Sequence, residues 1–207
     1  MQLAQRPIKL VDGCARAARL ITLLVTMLVT LLAGCTASQA TSVKGGQTGA
    51  SGAADSPGTT TWPGSSGPLL AAISGTTLSG SHLLLGASHH NVLVINTWAS
   101  WCYPCRTESP ALANVARATA GKGIVFVGID EQDTSSEARQ FAASVHSSYP
   151  SLVDSDGSLL AALRIVPARA IPSTLVVLPD GHVAARIIGP TNAAQLLALL
   201  RPLESSV

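Results

Sequence analysis

The chain has 207 residues, of which 47% are apolar, 12% charged and 3% aromatic, and its formal charge is +2. That is enough apolar material for one generous domain with attachments, and too little basic excess for a nucleic-acid-binding surface. A scaffold stapled by disulfides is excluded too, because only two of the four cysteines lie beyond residue 35.

Arg6, Lys9, Arg16 and Arg19 precede an apolar run from Leu20 to Ala33. The run is shorter than the about 20 residues that a membrane span needs. A basic segment, a short apolar run and small residues before a break describe a secretory signal. Leu32-Ala33-Gly34-Cys35 resembles the bacterial lipobox, whose cysteine receives a diacylglycerol and becomes the mature N-terminus. On that reading residues 1–34 are a lipoprotein signal peptide and Cys35 is the lipidation site. The protein would then sit on the outer face of the bacterial cytoplasmic membrane. Ordinary cleavage or an uncleaved anchor would also place the remainder outside the cytoplasm. Removing residues 1–34, with four basic residues and one acidic, takes the formal charge from +2 to −1. The basic balance therefore belongs to the targeting segment.

Residues 35–67 are rich in Ser, Thr, Gly and Ala, with almost no branched apolar side chains. Such a segment buries too little surface to offset its ordering entropy and reads as a flexible tether. At this composition it would span roughly 30 Å root-mean-square. Trp62 reads as an incidental side chain within it. Leu69–Ile73 and Leu78–Leu85, around Ser74-Gly75-Thr76-Thr77, read as two short strands and a turn. His82, His89 and His90 read as polar turn residues rather than metal ligands.

Val92–Ile95 is an apolar, β-branched run that reads as a buried strand. It leads through Trp98-Ala99-Ser100-Trp101 into Cys102-Tyr103-Pro104-Cys105, after which Ala111, Leu112, Val115 and Ala118 recur at helical spacing. The cysteines thus fall where a strand hands over to a helix N-terminus. Unsatisfied backbone N–H groups and the positive end of the helix dipole favour a thiolate there. Cys102 should be exposed, with a lowered pKa, and Cys105 lies close enough to close a small disulfide ring. Structural zinc would need about four protein ligands, and there is no second cysteine pair to supply them. The redox reading is preferred.

Pro110 predicts a bend one turn into this helix, and Gly121-Lys122-Gly123 ends it. Ile124–Ile129 is a second apolar strand, and Ala138, Phe141, Ala142 and Val145 mark an amphipathic helix. Tyr149 to Gly157 is loop or short strand, and Leu159–Leu163 a short helix. Leu175–Leu178 and Val183–Ile188 form a hairpin through Pro179-Asp180-Gly181, and a last helix starts at Thr191 or Asn192. Strands alternating with helices, then a hairpin and a helix, make an α/β protein.

The segment VLVINTWASWCYPCRTESP, the distant Ile171-Pro172-Ser173-Thr174, the Pro-Asp-Gly hairpin and the final helix resemble the thioredoxin fold over residues 68–203. More narrowly, they resemble the exported, membrane-anchored TlpA/ResA-like thiol-disulfide oxidoreductases. The resemblance implies a central mixed sheet flanked by helices, an N-terminal strand pair and an insert at about 130–170, making 68–207 the folded domain. It implies Cys102 as attacking nucleophile, Cys105 as resolving thiol and Glu108 as the carboxylate that takes the Cys105 proton. It implies a cis-proline at Pro172, with Ile171 offering backbone groups to an extended substrate and Trp101 and Tyr103 beside it. Asn96 stands where thioredoxin itself has a buried aspartate. The lead-in 163–170 lacks the usual Tyr-x-Val-x-Gly pattern, and Arg169 within it reads as a solvated charge.

The implied activity is dithiol–disulfide exchange with exported protein thiols and disulfides, apocytochrome c among them. A membrane thiol carrier would restore the dithiol, no cofactor beyond the Cys102–Cys105 couple is required, and the protein would be a monomer. Run in reverse, the same site would introduce disulfides. Other readings are a copper-binding lipoprotein using the two thiolates and a histidine, and a peroxidase. The latter lacks the Thr-x-x-Cys pattern that its chemistry requires.

Overall fold

The computed structural model describes residues 58–86 and 90–204. The expected signal peptide, Cys35, most of the expected tether and His89 lie outside the described residues. Eight strands are present: β1 (Thr59–Thr61), β2 (Ile73–Thr76), β3 (His82–Leu85), β4 (Val92–Trp98), β5 (Ile124–Glu131), β6 (Ser151–Asp154), β7 (Ser173–Val177) and β8 (Val183–Ile188). Among the described residues four α-helices join the strands: α1 (Tyr103–Ala118), α2 (Ser135–Ser144), α3 (Ser158–Leu163) and α4 (Ala193–Leu200). Six strands make one sheet in the order β1-β8-β7-β4-β5-β6, and β2 and β3 form a separate hairpin. β4, β5 and β6 run parallel, whereas β7, β8 and β1 are each antiparallel to their neighbours. This is the mixed α/β, thioredoxin-like arrangement that the sequence resemblance implies.

β4 is buried along its whole length because both faces of the sheet are covered. Alternate residues divide between two cores. Val92 and Val94 pack with Leu112 and Val115 of α1 and Leu196 and Leu200 of α4. Leu93 and Ile95 face the other way, toward Ile73 and Leu85 of the hairpin and Leu160 and Leu163 of α3. α1 carries Pro110 in its interior and continues beyond it, burying Leu112, Ala113 and Val115. The amphipathic pattern around Ala138 and Phe141 becomes α2, capped by Thr134, whose side chain accepts from the Glu137 N–H. Asn192 caps α4 in the same manner.

Two expected boundaries differ. Residues 58–67 are not tether, because Thr59–Thr61 pairs with Ala185–Ile187 of β8. Trp62 is half-buried against the core, its ring under the Arg186 guanidinium at 5.7 Å. Arg186 also donates to the Ile165 carbonyl and to Thr60 Oγ1. The folded unit therefore starts about ten residues before position 68. The N-terminal hairpin is also shifted, with Ser74–Thr76 in strand and the turn at Thr77–Ser81. There Thr77 N donates to the Ser81 carbonyl, Thr77 Oγ1 accepts from Ser81 N, and Gly80 takes φ 89°. The hydroxyl-rich Thr77-Leu78-Ser79-Gly80-Ser81 supplies turn hydrogen bonds that Ser74-Gly75 does not.

Candidate active site

β4 ends at Trp98, and the next four residues carry the chain to the start of α1 at the C-terminal edge of the parallel strands. Cys102 is the N-cap of α1, and its sulfur accepts a hydrogen bond from the Cys105 N–H at 3.3 Å. Cys102 and Cys105 are joined by a disulfide. Cys105 is fully buried, and Cys102 is 5% exposed. The first cysteine is thus less open than expected, because Trp98, Ala99, Ala138, Phe141 and the partly buried Ile171 pack around the pair. The Ile171–Pro172 bond is cis, with Pro172 buried at the start of β7. Trp101 and Tyr103, 60% and 80% exposed, flank the disulfide on the surface. A groove lined by Ser100, Trp101, Arg106, Glu137, Gln140 and Phe141 opens beside them.

Glu108 lies one helical turn beyond Cys105 on the buried side of α1 and is 3% exposed. It is not the solvated acid that its place near a helix start would permit. One carboxylate oxygen accepts from Asn96 Nδ2 at 2.9 Å and the other from the Thr191 N–H at 2.7 Å. Burial pushes its pKa up to about 7, and these two hydrogen bonds hold it from rising further. Asn96 therefore does not titrate but binds the group that does. Its amide also lies 3.4 Å from the Ser173 carbonyl and 3.3 Å from Thr174 Oγ1, linking Glu108 to the strand that follows the cis-proline. The pairing of Asn96 with a carboxylate twelve residues on was the part of the site hidden in the sequence. A polar residue inside an otherwise apolar strand was its only signal.

The loop before Cys102 is tied to the β5–α2 connection. Ser100 N donates to Asp133 Oδ2 at 2.6 Å, Trp101 Nε1 donates to the Gln132 carbonyl at 3.1 Å, and Arg106 returns to the Ser100 carbonyl at 3.0 Å. The Arg106 guanidinium lies over the Phe141 ring at 5.1 Å. Sequence reading did not single out Asp133, since GIDEQD reads as a strand end followed by a polar turn. Burial and the charge of Asp154 raise the pKa of Glu131, and Arg169, at φ 62° and exposed, partly opposes that rise. Among the described residues no group of three or more His, Cys, Asp and Glu side chains is placed to hold a metal ion.

A helix-capping dithiol, a cis-proline beside it and a buried carboxylate one turn on make up the site. The AhpC/TSA family matches residues 70–186, more than half of the chain. This chain belongs to the AhpC/TSA family. Among curated members it is 26% identical over 115 residues to the thiol-disulfide oxidoreductase ResA of Bacillus subtilis, covering 54% of this chain and 63% of that protein. It is 32% identical over 112 residues to the thiol:disulfide interchange protein HelX of Rhodobacter capsulatus, covering 54% and 60%. The match thus spans less than two thirds of these relatives' length. Among solved AhpC/TSA-like structures, a DsbF homologue from Corynebacterium diphtheriae superposes with a TM-score of 0.66 at 28% identity, covering 72% of this chain and 96% of that one. A secreted thiol-disulfide isomerase from Corynebacterium glutamicum gives 0.66 and 28%, covering 76% and 98%.

Proposed function

We propose that this protein is an extracytoplasmic thiol-disulfide oxidoreductase that exchanges disulfides with exported proteins through Cys102 and Cys105. The observation that carries the proposal is the disulfide at the N-terminus of α1, with Cys102 as the N-cap and 5% exposed and Cys105 fully buried. That difference supports Cys102 as the attacking cysteine and Cys105 as the resolving one. In the reducing direction the Cys102 thiolate, favoured by the Cys105 N–H and the helix dipole, attacks a substrate disulfide and expels one substrate thiolate. The resulting mixed disulfide is resolved when Cys105, its proton passing to Glu108, attacks Cys102 sulfur. The second substrate thiol leaves, and the Cys102–Cys105 bond forms. A carboxylate poised near pH 7 suits that transfer in either direction.

Ile171 would present its backbone to an extended substrate segment, and Trp101 and Tyr103 would pack against the residues around the substrate cysteine. Apocytochrome c fits as a client, and a membrane thiol carrier would return electrons to the couple. Cys35 would carry the lipid that anchors the chain to the membrane. Support for this reading comes from the relatives' printed activities and from the export pattern of residues 1–35.

Replacing Cys105 by Ser tests the order directly. A substrate peptide carrying a disulfide should accumulate as a covalent adduct on Cys102, whereas Cys102→Ser should give none. Adduct on Cys105 alone would reverse the assignment. The reduction potential of the wild-type couple then sets the direction. A value near about −270 mV makes it a reductase, and one near about −120 mV a disulfide donor.

A further inference from the structure

Two carboxylates lie beneath the dithiol loop, and the exchange chemistry above leaves them unused. Asp130, the partner of Trp98 across the β4–β5 ladder, is 0% exposed, and neither of its oxygens meets a protein donor among the described residues. Its position alternates with Phe126 and Gly128, so it points to the α1 and α2 side of the sheet. The nearest interacting side chain there is Asp133, itself an acceptor. Each Asp133 oxygen accepts one backbone N–H, from Ser100 N and from Thr134 N, and keeps a second lone pair. An ionised Asp130 would hold two unsatisfied oxygens beside a second negative charge. The acid form has a proton to give, and a carboxylate is the neighbour that receives it.

We propose that Asp130 and Asp133 hold one proton between them, and that this acid–carboxylate pair is a positioning element for the dithiol loop. Asp133 grips the Ser100 N–H two residues before Cys102, and the proton on Asp130 is what lets two buried carboxyl groups lie together under that grip. Burial, then the charge of Asp133 and its hydrogen bond with Asp130, then the charge of Asp154, raise Asp130 to about 7. The other charged groups around the pair are otherwise occupied. Asp154 caps α3 through the Leu159 and Leu160 N–H groups, and Glu137 accepts from Thr134 Oγ1 on the outer side of α2. Glu131 points to the opposite face of the sheet and interacts with Arg169, while Arg106 lies over Phe141. Among the described residues, the charges that act on Asp130 are those of Asp133 and Asp154, both negative. Loss of the proton then pushes Asp133 away from Ser100 N and adds negative charge on the thiolate's side of the sheet. The inference rests on the dithiol reading for its consequence, but not for the shared proton.

The experiment separates the two. In the full chain, oxidised and held in detergent, Asp carboxyl carbons are labelled with 13C and titrated by NMR, with Asp130→Asn identifying the Asp130 signal. Asp130 should titrate well above the ordinary carboxylate range, and Asp133→Asn should move its midpoint down. An Asp130 midpoint near the ordinary aspartate value, or one unmoved by Asp133→Asn, overturns the pair. The reduced protein is then alkylated with iodoacetamide across pH. Asp130→Asn should match wild type at pH 5.5 and react roughly threefold faster at pH 8, about half a pKa unit in the thiol. Coincident pH profiles would overturn the link to the loop. A chain with the shared proton but no disulfide exchange would instead count against the proposed function alone.

Discussion

Glu108 carries the largest burden of any single side chain, because it is buried, hydrogen-bonded and adjacent to the chemistry. Its folded pKa, about 7, stands above its ordinary value of 4.5, so the native state holds the proton more tightly than the unfolded chain. Stability from this group is therefore full below pH 4.5 and is lost as pH rises through 7. Replacing Glu108 by Gln should flatten that fall, giving a gain on the order of 2–3 kcal/mol at pH 8 relative to pH 4.5, read by denaturant unfolding at the two pH values. A wild-type stability that rises over this window would contradict the burial cost assigned here. The same substitution should slow resolution of the mixed disulfide by roughly 10- to 100-fold while leaving attack by Cys102 unchanged, which stopped-flow exchange with a model disulfide separates. Gly128 shows how little room the region leaves. A Cβ there would collide with Ser151 Oγ and lie 2.6 Å from Trp98 Nε1, two atoms that hydrogen-bond each other at 3.2 Å. Gly128→Ala should destabilise by about 1–3 kcal/mol.

At the scale of elements, what was legible was local. The β4–α1 unit could be read because its whole argument lies within one continuous stretch: an apolar run, a dithiol and a helical repeat. The β7–β8 hairpin announced itself through Pro179-Asp180-Gly181, and α2 through the spacing of Ala138 and Phe141. β1 was illegible for the opposite reason. Three threonines in a Ser/Gly-rich background carry no periodicity, and what orders them is β8, more than a hundred residues away. Trp62 has the same character, since its value depends on Arg186. The hydrogen bond from Ser100 N to Asp133 likewise joins two separate loops, which no local pattern reports. It follows that a chain beginning at residue 68 should be less stable than one beginning at 57, by about 2–4 kcal/mol for the lost Trp62 packing and strand pairing. Matched urea titrations of the two would measure it, and equal midpoints would show that β1 adds nothing.

Across the whole molecule, the sheet separates two cores of unequal enclosure. Four described helices and a hairpin share the cover, and β4, β5 and β7 are the long strands buried almost throughout. Native-state hydrogen exchange should find the slowest amides there and the fastest ordered ones in β1 and in the β2–β3 hairpin. The dithiol follows the end of β4 and the cis-proline precedes β7, so the proposed exchange chemistry would take place beside the most deeply buried strands. β1 has one more consequence. It is three residues long and polar and pairs with the outer edge of β8, where Val183, Ala185 and Ile187 are buried. With β1 in place the sheet ends in a stub too short to template another chain. Without it, the six-residue strand Val183–Ile188, apolar at all positions but Arg186, becomes an open edge. Shortened chains of this protein should therefore self-associate in a concentration-dependent way that the chain keeping its threonine stub does not show.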